Sequence, residues 1–263
     1  MFKDIKQVMK DSVLYGIGNV AVKLVGFILI PLYTDAEYFS TADYGLMGLL
    51  EVTSQILIAV MGLSLYSGLI RWYWDAEYRD KQKTIFFTTL LFTILTSLCI
   101  GSVLWLNVGE LSALLVQQEG YSLGGELPYI LQLLILTSML GAVVEVPQNL
   151  LRLQRKPIYY SLTNIVRLFA TLVLTIYFTI SLHRGVSGVY EAQLVGIVIQ
   201  LLMVLPLVIK NSSCRVDRKC TIQLLAYSYP LVFPAIVGSL LTVFDRYIIN
   251  HFQGLDDVGF YSL

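Results

Sequence analysis

The sequence predicts an all-α integral membrane protein: a six-helix N-terminal lobe and the first helix of a second lobe. Three observations carry that expectation. The 263 residues are 56% hydrophobic and only 14% charged, with mean hydropathy +0.71, whereas a soluble domain carries about 25% charged residues. Apolar runs recur at the length of about 20 residues that one helix needs to cross a bilayer. Basic residues fall in alternate connections between those runs. Eighteen Lys and Arg against eighteen Asp and Glu leave no net charge, which argues against a nucleic-acid partner.

The charged leader Met1–Asp11 precedes a run too long for a signal-peptide core, so Ser12–Leu32 reads as the first span. Tyr44–Ile70 follows, ending in Arg71-Trp72-Tyr73-Trp74, a cluster expected to anchor a helix at the interface. Thr84–Asn107 is the third span, and the acidic stretch Val108–Glu126 is the connection after it. Leu127–Leu151 contains Pro147; Tyr159–Leu182 and Ser187–Ile209 complete a lobe over residues 1–221. Ile222–Ile249, with Pro230 and Pro234, opens residues 222–263, and an eighth span begins near Val258. The prolines are candidate kinks.

The N-terminus and the second, fourth and sixth connections hold fourteen basic residues: Lys3, Lys6, Lys10; Arg71, Arg79, Lys81, Lys83; Arg152, Arg155, Lys156; Lys210, Arg215, Arg218, Lys219. The other side has Arg184 and Arg246 alone. Positive residues are retained in the cytoplasm, so the N-terminus is expected inside.

A short repeat supports the count of spans. Tyr38–Leu49 and Phe252–Leu263 align at an offset of 214, pairing Asp43 with Asp257, Gly45 with Gly259 and Leu49 with Leu263. Six spans separate the copies, so both have one orientation, as in a two-lobed transporter built from parallel repeats. Only 38 residues follow the restart near Ala226, and a second lobe of equal size is expected beyond them.

Polar groups at membrane depth mark candidate sites. Ser12, Gly16, Asn19, Lys23 and Gly26 share a face of the first span, with Lys23 near its middle. Gly48, Glu51, Gln55 and Gly62 do so on the second, Asn164, Arg167, Thr171 and Thr175 on the fifth, and Gln193, Gly196 and Gln200 on the sixth. Such stripes suit a hydrated cavity; the candidates are Lys23, Asn19, Arg167, Glu51 and Gln55. Glu51 and Arg167 lie nearer the membrane faces, and an internal ion pair of Glu51 with Lys23 or Arg167 is the structural alternative. Glu145, on a face with Gly141, Gln148 and Arg152, reads as structural. Cys214 and Cys220, with no histidine near them, fit no zinc pattern. With no nucleotide-binding loop either, no cofactor is expected.

The segments GNVAVKLVGFILIPLYT (Gly18–Thr34), STADYG (Ser40–Gly45), SGLIRWYWDAEYRDKQK (Ser67–Lys83) and the run from Tyr229 to Leu263 resemble Wzx-type polysaccharide flippases. That family is grouped with the MATE exporters and the lipid II flippase MurJ. The resemblance implies a non-enzymatic inner-membrane flippase for polyprenyl-diphosphate-linked oligosaccharide. It also implies alternating access between two lobes, central basic residues such as Lys23 and Arg167, and membrane lipids and polysaccharide assembly proteins as partners. A MATE-type cation-coupled drug antiporter shares the topology but would centre on membrane carboxylates. A membrane-embedded polymerase or glycosyltransferase would place catalytic charges in a long external loop, and Val108–Glu126 contains no basic residue.

Overall fold

The computed structural model describes residues 29–35, 37–115, 125–213 and 215–262. These are helical with no strand among them. Residues 29–33 are helical; the remainder of the first expected span lies outside the described residues. The principal helices are α1 (Thr41–Gly62), α2 (Leu65–Trp72), α3 (Gln82–Leu106), α4 (Val108–Leu115) and α5 (Leu127–Leu153). They continue as α6 (Pro157–Ile176), α7 (Gly185–Asn211), α8 (Arg218–Phe252) and α9 (Leu255–Ser262). Six described segments are long and apolar enough to cross a membrane, one for each of the second to seventh expected spans.

The start of α1 follows from its sequence. Ser40 Oγ accepts from the Asp43 amide at 3.1 Å while the Asp43 carboxylate accepts from the Ser40 amide at 2.9 Å. This capping box satisfies two otherwise orphaned donors. The second span, however, is not one helix. Leu63 and Ser64 both take positive φ, 44° and 50°, and the chain restarts as α2. Packing overrides local preference there: Leu65 and Leu69 are buried to 1% and 0% exposure, and the Ser64 hydroxyl reaches the Leu231 carbonyl at 3.4 Å. A second departure is α4, a helix inside the expected connection Val108–Glu126, with Val108 packed in the core. Pro147 in α5 and Pro230 and Pro234 in α8 lie within uninterrupted helices.

Two apolar cores occupy the two ends of the bundle. One joins Leu46, Leu49 and Leu50 of α1 to Leu131, Leu134 and Ile135 of α5 and Tyr190 of α7. The other joins Leu65, Leu69, Ile85, Phe86, Leu150, Leu151 and Leu224. The basic connections converge beside the second core. Lys81 pairs with Asp217 at 2.5 Å, Lys219 with Glu77 at 2.7 Å, and Gln154 donates to Asn211 at 2.8 Å and to the Tyr73 hydroxyl at 3.1 Å. Tyr73 is therefore a core residue, while its neighbour Trp74 is exposed as an interfacial anchor would be.

At the opposite end the two repeat copies pack on each other. A Cβ placed on Gly45 would stand 2.0 Å from the Leu255 carbonyl oxygen, and one on Gly259 would stand 2.3 Å from that of Thr41. Residues 255 and 259 are the repeat equivalents of 41 and 45, so the contact is reciprocal. Gly48 meets its own equivalent, Ser262, with 3.3 Å between the positions of the two Cβ atoms. This is a local two-fold arrangement in which α1 and α9 touch backbone to backbone. Small residues permit such close approach where lipid supplies no hydrophobic drive between helices.

Candidate functional site

Between the two cores lies a polar cavity of roughly 290 Å³ among α1, α5, α6 and α7. The stripes on the fifth and sixth spans meet there because Gly196 lets α7 lie against α6; a Cβ would come within 2.1 Å of Thr171 Oγ1 and 3.3 Å of the Arg167 carbonyl. One turn on, Arg167 donates to Gln200 Oε1 at 3.1 Å, and Gln200 Nε2 donates to Asn164 Oδ1 at 3.0 Å. Gln200 is only 1% exposed, and both ends of its amide are committed, the oxygen to the guanidinium and the nitrogen to Asn164. Arg167 is the eleventh residue of a 25-residue apolar segment, which puts it close to mid-depth rather than near a membrane face.

The facing wall comes from α5. Gln148 donates to Thr163 at 2.9 Å, and Asn149 donates back to the Glu145 carbonyl at 3.0 Å. The Arg152 guanidinium hydrogen-bonds the Tyr160 hydroxyl and lies 4.6 Å from the centroid of that ring, a cation–π geometry. The cavity therefore presents two guanidinium groups, one carboxyl and several amides.

Glu145 lines a second cavity as well, roughly 490 Å³, bounded by Gln55, Gly62, Ser64 and Tyr66 and by Pro234 and Gly238 of α8. In the sequence alone Glu145 reads as structural. Its place between two cavities was signalled only by the Gly141–Glu145–Gln148–Arg152 stripe, whose partners on other helices no single-helix reading supplies. Of the expected site residues, Arg167 lies in the first cavity and Gln55 in the second. Glu51 is exposed on α1 and forms no ion pair with Arg167, which is engaged by Gln200. Lys23 and Asn19 lie outside the described residues.

The fold is that of multi-helical membrane transporters. A MATE protein in complex with MaD3S superposes with TM-score 0.74 at 16% identity, covering 98% of this chain and 59% of that one. A MOP superfamily transporter from Pyrococcus furiosus, described as having a binding pocket of reverse polarity, gives 0.72 at 18% identity over 94% of this chain and 55% of that one. An outward-facing multidrug resistance MATE transporter gives 0.70 at 17% identity, covering 98% and 58%. The chain thus spans little more than half the length of these structures. No curated protein sequence matches it. Residues 8–263 match the family of polysaccharide biosynthesis proteins, and the chain belongs to that family. It is a multi-pass membrane protein of the MATE-like fold.

Proposed function

We propose that the protein flips polyprenyl-diphosphate-linked oligosaccharide from the cytoplasmic to the outer leaflet of the bacterial inner membrane. In this reading residues 1–221 form one lobe, residues 222–263 open a second, and the N-terminus is cytoplasmic. The observation that carries the reading is Arg167, a guanidinium near mid-depth, oriented by Gln200 in a cavity that also holds Arg152. A diphosphate loses hydration on leaving water, and fixed cations offset that loss more strongly where the dielectric is low. Asn164, Gln193 and Gln148 offer both donors and acceptors, the complement of sugar hydroxyls. Lys23 would add positive potential from the first span, with Asn19 one turn before it and Gln55 on the neighbouring cavity wall. Glu51 is the candidate counter-charge for Lys23. Alternation between two lobes would expose these groups to each leaflet in turn.

Glu145 favours a second reading, a cation-coupled antiporter of the MATE type, because a carboxyl shared by two cavities suits cation or proton exchange. Substitution separates the two. In the flippase reading Arg167→Ala reaches normal levels in the membrane but fails to complement a flippase-deficient strain, while Glu145→Gln still complements. Full complementation by Arg167→Ala, with loss in Glu145→Gln, overturns the flippase reading in favour of the antiporter.

A further inference from the structure

The break between α1 and α2 separates two spaces of opposite character. Gly62, Ser64 and Tyr66 face the 490 Å³ cavity that contains Glu145 and Gln55. The alternate residues Leu63 and Leu65 face a different hollow, roughly 340 Å³, whose other wall is Leu225, Ala226, Tyr229 and Val232 of α8. That second hollow is lined almost wholly by carbon. The same helix supplies Pro234, Ala235 and Gly238 to the polar side. An ordinary helix running from Gly62 to Tyr66 would scatter these five residues around its circumference. The paired positive φ angles instead send odd and even positions to opposite sides.

The partition is held in place. Ser64 Oγ donates to the Leu231 carbonyl at 3.4 Å. Nearer the basic end α2 and α8 close together, a Cβ on Gly68 falling 3.0 Å from Ser228 Oγ. Trp72 meets Tyr227 edge-on at 5.2 Å along the same seam. The apolar hollow is thus a groove open beside the polar cavity, with one strained dipeptide between them.

From this juxtaposition we infer that the groove between α2 and α8 holds the lipid chain of the transported molecule, its isoprenoid units lying there while the polar head extends past Ser64 into the adjoining cavity of Arg152 and Arg167, the two cavities sharing Ile58 and Glu145 as wall residues. The occupant is fixed by the change in polarity across one residue. A purely apolar ligand gains nothing from the cavity, and a soluble sugar gains nothing from the groove. An amphiphile whose polar head joins directly to a hydrocarbon chain satisfies both at once. The inference rests on the flippase reading and adds to it where the chain sits during recognition.

The test uses the full-length protein in phosphatidylethanolamine–phosphatidylglycerol vesicles and a polyprenyl diphosphate with a diazirine in the second isoprene unit. Adducts are mapped by mass spectrometry after irradiation. Saturable labelling is expected on Leu225, Ala226, Tyr229 and Leu63, and Ala226→Trp, which fills the groove from an exposed position, lowers it at least tenfold. An oxidative crosslink between Gly48→Cys and Ser262→Cys, introduced into the same variant, reports that the fold is intact. Saturable labelling elsewhere on the protein overturns the groove and leaves the flippase reading standing. No saturable labelling anywhere overturns both. Groove labelling competed equally by excess phosphatidylglycerol makes the groove an ordinary lipid contact and overturns the inference. Should Ala226→Trp lose the crosslink, Val232→Trp is the variant on which the tenfold loss stands or falls.

Discussion

Substituting Gly45 by alanine tests the reciprocal contact between the repeat copies. The new Cβ would lie 2.0 Å from the Leu255 carbonyl oxygen and 2.9 Å from the Gly259 amide nitrogen. Both neighbours are backbone atoms, so no rotamer change relieves the overlap and α1 and α9 must part by on the order of an ångström. Overpacking of this kind costs about 1–3 kcal/mol, and about 1.4 kcal/mol is a tenfold shift in an equilibrium. Gly259→Ala presses on Thr41 O from 2.3 Å across the same local two-fold. Because either change alone opens the gap the other needs, the double variant is expected to lose less than the sum of the singles. The reporter is a disulfide between Gly48→Cys and Ser262→Cys, in protein lacking its native cysteines. The Cβ positions 3.3 Å apart are close to the ~3.5–4.5 Å that a disulfide spans. The parent pair should oxidise readily, and Gly45→Ala should lower the closed fraction's equilibrium about tenfold. Undiminished crosslinking in Gly45→Ala, or strictly additive losses, would refute the two-fold packing.

Three further outcomes follow from the geometry. Gly196→Ala should weaken the α6–α7 contact by about 1–3 kcal/mol in lipid unfolding measurements, and Thr171→Ala should restore much of it, since the nearest obstacle is Thr171 Oγ1 at 2.1 Å; no rescue would count against that packing. The Lys81 ammonium beside Asp217 holds its carboxyl below the usual carboxylate range. The contribution of the pair is therefore complete above the unfolded value of 3.8 and is lost as pH falls through the lower folded value. Asp217→Asn keeps the helix cap, so its thermal stability should match the parent's in strong acid and fall short at neutral pH in low salt, and a difference independent of pH would contradict the pairing. Finally, with the N-terminus inside, an impermeant thiol reagent on intact cells should label Glu110→Cys and not Asp80→Cys, both at exposed positions; the reverse result inverts the proposed orientation.

Much of this molecule was legible in its sequence because a bilayer enforces length and polarity on every span. The third to seventh spans emerged as helices within a few residues, the second as a helix broken at Leu63–Ser64, and the gathering of basic connections at one end followed from charge alone. Asp43, Gly45 and their repeat partners Asp257 and Gly259 disclosed a relation between distant segments, although not that the two copies touch. The break at Leu63–Ser64 was hidden because neither residue marks a left-handed backbone; contacts with α8 impose it. The helix α4 was hidden inside a segment read by its charge. Arg167 was visible as a cation on one stripe with Asn164, but Gln200, which accepts from Arg167 and donates to Asn164, lies 33 residues beyond Arg167, and only helix packing joins the two stripes. Glu145 shows the same limit: that it lines two cavities depends on which helices surround it.

The most direct measurement is leaflet translocation of a fluorescent polyprenyl-diphosphate oligosaccharide in vesicles containing the full-length protein, read by accessibility to an external quencher. The flippase account predicts protein-dependent translocation that Arg167→Gln abolishes at equal protein content while Arg167→Lys, which retains the charge, preserves a part. Translocation no faster than in protein-free vesicles, together with cation efflux driven by a pH gradient and abolished by Glu145→Gln, would contradict it.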